Sequence, residues 1–125
     1  MKKEKFLKFN RIHGEYKVTE HLGVIQYFFI KGKNDEKGIT IKSYADKYLK
    51  YWRFTEAITG QLLINTEQSN FKKAFEEGTK KLNDTMECMG FDNFVNIIKE
   101  GEENNKIFLE SFKINQIVIE EQLAA

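Results

Sequence analysis

The chain has 125 residues, 41% of them hydrophobic and 31% charged, a balance that excludes the low-hydrophobicity, high-charge regime of disorder. That length suits one domain, 1–125, able to bury about two thirds of the surface its unfolded form exposes. A net charge of +1 hides an asymmetry: residues 1–53 hold 13 Lys/Arg against 6 Asp/Glu, or +7, and residues 54–125 hold 7 against 13, or −6.

In chain order, Phe6 to Ile12, Glu15 to His21, Val24 to Lys31 and Ile39 to Lys42 read as strands. They are separated by His13-Gly14, Leu22-Gly23 and the loop Gly32 to Gly38, where Gly, Asn and Asp supply turn chemistry in a chain with no proline. An antiparallel meander follows, with Val24 to Ile30 apolar enough for a central strand covered on both faces. Ser43 with Asp46 resembles a capping box and predicts a helix from Tyr44 to about Leu63, weakened at Gly60. A second helix is marked by Phe71, Phe75, Gly78, Leu82, Met86 and Met89 at spacings of three and four, with Gly90 as its C-cap. That stripe serves either the chain's own core or a homodimer. Asp92 can cap a short third helix ending near Gly101. The tail from Lys106 to Glu121 fits one helical face through Phe108, Phe112, Asn115 and Ile119, but the β-branched run Ile117-Val118-Ile119 favours a strand or hairpin. The predicted class is therefore α+β: an N-terminal antiparallel β-meander, three helices and a C-terminal strand or hairpin.

One stretch, Lys47-Tyr48-Leu49-Lys50-Tyr51-Trp52-Arg53-Phe54, interleaves cations with aromatic rings. On a helix, at about 100° per residue, Tyr44, Tyr48, Tyr51 and Trp52 share one face and Lys47, Lys50 and Arg53 take the other. Only Phe54 falls among the cations. An exposed phenylalanine there would anchor a protein partner inside a polar rim, or stack on a base. Lys47, Lys50, Arg53 and Phe54 are the candidate partner-binding residues.

Catalytic signals are sparse. His13 and His21 stand near Glu15 and Glu20, where a His beside a carboxylate could act as a base or a metal ligand, but no third ligand has metal spacing. No phosphate-binding glycine motif and no nucleophile elbow occurs. Cys88, the single cysteine, cannot close an internal disulfide and sits between Met86 and Met89, where packing or no role is expected. Glu102-Glu103 and Glu120-Glu121 read as solvated charge runs. No apolar run reaches the roughly 20 residues of a membrane helix, and the basic N-terminus is broken by Lys8, Asn10 and Arg11 before any signal-peptide core. A cytoplasmic protein without membrane, metal or cofactor is expected.

Lys outnumbers Arg by 18 to 2, which an AT-rich genome produces without functional pressure, so the lysines count for less than their number. The sequence favours a non-enzymatic protein-interaction domain of inhibitor or adaptor type, a class common among phage and mobile-element products. Nucleic-acid binding by the basic half and a small-molecule pocket between sheet and helices, using His13 or the tyrosines, are the alternatives.

Overall fold

The computed structural model describes residues 2–12, 15–32 and 37–124; of 10–12, 15–16, 107–109 and 111–124 only the backbone is described. Five strands run in chain order across one antiparallel sheet: β1 Glu4–Ile12, β2 Glu15–Lys31, β3 Gly38–Tyr48, β4 Tyr51–Glu56 and β5 Leu62–Asn65. Two helices follow, α1 Phe71–Met89 and α2 Phe91–Ala124. The class is α+β.

β2 serves two partners in turn. Its first half pairs with β1 as far as Glu4 opposite Gly23, and its second half pairs with β3 from Val24 opposite Ala45. At the handover a side chain would collide: a Cβ on Gly23 would stand 2.6 Å from the Phe6 ring and 2.8 Å from the Ala45 carbonyl. The close approach lets β1 fold back over the sheet, where Phe6 stacks on Tyr44 at 4.9 Å and Phe9 N–H donates to the Gly60 carbonyl at 2.8 Å. Leu22-Gly23, predicted as a turn between two strands, is instead the bend of one long strand.

Period-two patterning sends Val24, Phe28 and Ile30 of β2, Ile41 and Ala45 of β3 and Phe54 of β4 to one face. Opposite them α1 buries Ala74, Gly78, Leu82 and Met86. The predicted stripe is therefore packed on the chain's own sheet. Gly78 matters here, because the Phe28 ring lies 3.3 Å from where its Cβ would be. Phe28 itself meets Phe54 edge-on at 4.9 Å and Phe75 at 5.0 Å. The first turn of α1 is capped by Asn70 Oδ1, which accepts from Lys73 N–H at 3.1 Å, and Gly90 closes the helix at φ 85°.

Two predicted elements are corrected. Tyr44 to Leu63 is not a helix but the end of β3, all of β4 and the start of β5. Ser43 does not cap a helix; its hydroxyl donates to the Gln26 carbonyl within the sheet. The alternation of Ile39, Ile41, Ser43 and Ala45, then Trp52 and Phe54, continues the strand period, and burial on one sheet face outweighs a weak capping signal. The third short helix and the C-terminal strand are likewise one helix, α2, of 34 residues and about 51 Å at 1.5 Å per residue. Nothing interrupts it at Gly101, which packs closely on the β4–β5 loop: a Cβ there would meet the Thr59 methyl at 3.3 Å.

α2 docks on the loop between β4 and β5 through carboxyl groups. Glu56, buried at the end of β4, accepts from the N–H groups of Ile58 and Thr59, and Asn105 donates to the Thr59 carbonyl. Glu102, predicted as a solvated charge, is half-buried beside this loop. Burial raises its pKa above the usual 4.5, the charge of Glu56 and a hydrogen bond with it raise it further, and Lys99 opposes. Its folded pKa lies above its unfolded one, so its contribution is complete below about pH 4.5 and is lost as pH rises through the folded value. Glu102→Gln, which keeps a donor without the charge, should be more stable than wild type at neutral pH, with the gap closing towards pH 4.5 in thermal melts. Phe54→Ala should cost about 3–5 kcal/mol in denaturant unfolding, as truncation of a packed core aromatic does.

Candidate functional site

The aromatic-basic stretch folds as the β3–β4 hairpin. Tyr48 pairs with Tyr51, leaving Leu49-Lys50 as a two-residue turn. Leu49 has φ 58° and is, among the described residues, the one non-glycine residue at positive φ. That is the pattern of a type II′ turn, whose first central position normally takes glycine. A leucine held there costs on the order of 1–2 kcal/mol, yet it packs on nothing: it is 87% exposed.

Around this tip the cations lie on rings. Lys47 Nζ stands 5.3 Å from the Trp52 centroid, Lys50 Nζ 5.1 Å from Tyr51 and the Arg53 guanidinium 4.6 Å from Tyr48. The helical projection separated cations from aromatics; the hairpin brings them together, because Lys47 stands directly opposite Trp52, Arg53 diagonally across from Tyr48 and Lys50 next to Tyr51. The base of the hairpin is tied down. Trp52 N–H donates to Gln68, its carbonyl accepts from Thr66 N–H and from the Thr66 hydroxyl, and its indole N–H donates to Ser69.

Asp46 organises the other side. Its Oδ2 accepts from Lys8 Nζ at 2.7 Å and its Oδ1 from Arg53 Nε at 3.4 Å. The Lys8 and Asp46 side chains are only 6% and 11% exposed, so this is a nearly buried pair spanning β1 and β3. Burial lowers the Lys8 pKa, and the hydrogen bond and charge of Asp46 oppose that shift. Two cations on one carboxylate leave an excess positive charge. Arg53 uses only Nε in this contact, so its two terminal nitrogens have no protein partner among the described residues.

Three of the four predicted partner-binding residues, Lys47, Lys50 and Arg53, are assembled at this tip. Phe54 is not. It is 0% exposed, in the core between Phe28 and Phe71, because a strand turns successive side chains to opposite faces and Arg53 takes the outer one. His21 lies on β2 against Phe6, with Nε2 2.7 Å from the Thr19 hydroxyl. Its pKa is lowered, first by burial, then by Lys8, with Asp46 opposing and Arg53 adding to the shift. Glu20 pairs instead with Lys5 at the surface, 3.5 Å apart. His13 and the Glu15 side chain lie outside the described residues. Cys88 is exposed on α1. Leu49, Tyr48, Tyr51 and Asp46 went unrecognised as site residues; the cue was Trp52-Arg53-Phe54-Thr55 alternating with period two directly after Tyr51.

Beside the hairpin base a groove of about 460 Å³ is lined by Lys3, Leu22, Asp46, Lys47 and Trp52, among others. Among the described residues no three His, Cys, Asp or Glu side chains are grouped to hold a metal ion, and no helix is long and apolar enough to cross a membrane. Comparison with known proteins found no matching family model, curated protein or solved structure.

Asp46→Ala strands the Lys8 ammonium in its buried position and should cost about 3–5 kcal/mol in chemical denaturation. Replacing both partners, Lys8→Met with Asp46→Leu, should recover most of that loss.

Proposed function

We propose that this protein is a non-enzymatic interaction module that docks on a protein partner through the β3–β4 hairpin tip. One observation carries the reading: a leucine held at positive φ and 87% exposed, on a hairpin fixed at its base. Strain that persists without an internal contact to offset it concentrates where a chain makes external contacts. Exposed side chains surround Leu49: Tyr48 is 60% and Tyr51 37% exposed, beside Lys47 and Lys50, with the half-buried Arg53 guanidinium lying on the Tyr48 ring. An apolar anchor rimmed by Tyr and Arg has the composition of an interface hot spot. The complementary surface is an apolar pocket with an acidic rim. Attraction to the cations orients the encounter, and burial of Leu49 then supplies the dwell time.

Strain and binding separate in one variant. Leu49→Gly should stabilise the fold by roughly 0.5–1 kcal/mol, because glycine accepts positive φ freely, while removing the anchor and abolishing partner capture. The test is capture from nuclease-treated lysate with wild type, Leu49→Gly and Lys47→Glu/Lys50→Glu as baits. A protein retained by wild type and lost with both variants supports the reading. Equal capture by all three, or capture that disappears with nuclease, contradicts it.

A further inference from the structure

We infer that a second surface, on the outer face of the sheet where β2 pairs with β3, is a stacking platform for single-stranded nucleic acid. It lies apart from the hairpin tip and goes beyond the protein-docking reading. Tyr27 and Phe29, two positions apart on β2, are 54% and 63% exposed. Both belong to the face away from the helices, since Phe28 between them is the buried core residue. Rings of this size left open in mid-strand are the informative exception to burial. β1 covers this face only further along, where Phe6 stacks on Tyr44 and Lys8 reaches Asp46.

Phe29 is held in place rather than loose. A Cβ on Gly38 would lie 2.6 Å from the Phe29 ring, so one side of that ring rests on glycine backbone. At 63% exposure its other side is open to solvent. Lys42 stands directly opposite Tyr27, its Nζ 5.6 Å from the Tyr44 ring, and Lys31, opposite Gly38 and two positions past Phe29, ends β2 where it also lines a groove with Glu76, Asp84 and Glu87 of α1. Among the described residues of this face, positions 25–31 of β2 and 38–44 of β3, no side chain is acidic.

The charge pattern selects the occupant. A two-fold contact between copies would set these lysines against the same lysines, whereas a polyanion neutralises them. The ring spacing selects single strands. Residues two apart on a strand are about 6.6–6.8 Å apart, about twice the 3.4 Å step of a stacked duplex strand. Only bases already separated from one another can lie on both rings, with Lys31 and Lys42 meeting the backbone phosphates. Base–aromatic stacking of this kind is sequence-tolerant, so binding should depend on strandedness and salt and little on sequence.

The test is fluorescence anisotropy of the full chain with a labelled oligothymidylate of about 15 nucleotides and a blunt duplex of equal length. The expected result is binding of the single strand in preference to the duplex. Tyr27→Ala and Phe29→Ala should each weaken it roughly tenfold, and Phe29→Trp should restore it, while Ile97→Ala on α2 leaves it unchanged. Lys31→Gln and Lys42→Gln should each reduce the log-log salt slope by about 0.7. No binding at low salt, equal affinity for the duplex, or affinity unmoved by both aromatic substitutions would overturn the assignment. So would a dimer in sedimentation that Phe29→Ala dissociates while the oligonucleotide stays unbound, since the face would then belong to a second copy.

Discussion

A nearly buried carboxylate, Asp46, decides how the sheet is used. Beside it the β1 ribbon is held on the outer face by the Phe6–Tyr44 stack, the Phe9 N–H to Gly60 hydrogen bond and the burial of the Phe6 and Phe9 rings. With it, Lys8 reaches across from β1, and the same carboxylate steers Arg53 onto the Tyr48 ring. β1 thus covers one part of the outer face and leaves open the hairpin tip on one side and the Tyr27–Phe29 strip on the other. Electrostatics here positions surfaces more than it adds stability, as expected of a buried pair whose desolvation consumes much of its attraction.

The helices supply the opposite half of the design. Phe28, gripped between Phe54 and Phe75 and packed on Gly78, joins the sheet to α1 through apolar surface, with hydrogen bonds from Lys31 N–H to Asn83 and from Lys81 to the Asn65 carbonyl at its margins. The inner face, being apolar and covered, needs no charge, and the cations of the N-terminal half are free to lie outside. Lys31, Lys42, Lys47 and Lys50 all come from β2 to β4 and all are exposed. α2 docks beside the β4–β5 loop, where Asn105 donates to the Thr59 carbonyl and the half-buried Glu102 stands near the buried Glu56.

Legibility in the sequence followed the strength of the periodic signal. The helix α1 was readable because Leu82, Met86 and their neighbours repeat at three and four over 19 residues, and the early strands because turn residues bracket them. The hairpin was missed for a physical reason: its turn is Leu49-Lys50, without the Gly, Asn or Asp that positive φ ordinarily demands. With no visible turn, Ser43 and Asp46 suggested a helix, and Phe54 moved from the core to an imagined surface. The same strain that hid the hairpin is what singles out Leu49 in the structure. α2 was shortened because Gly101 and the β-branched tail both argue against helix locally, whereas the observed helix continues through them. The Lys8–Asp46 pair joins positions 38 apart, a contact that no local pattern announces.

The claim most exposed to test is that the hairpin tip is the contact surface. A photo-crosslinking residue placed at position 49 reads it directly, with the same residue at position 97 as comparison, since Leu49 at the hairpin tip and Ile97 on α2 are both exposed apolar positions. In cells of the native host, a discrete protein adduct from position 49 and none from position 97 is the predicted result. An adduct from position 97 alone, or none from position 49, would contradict the account and send the search to the helical face.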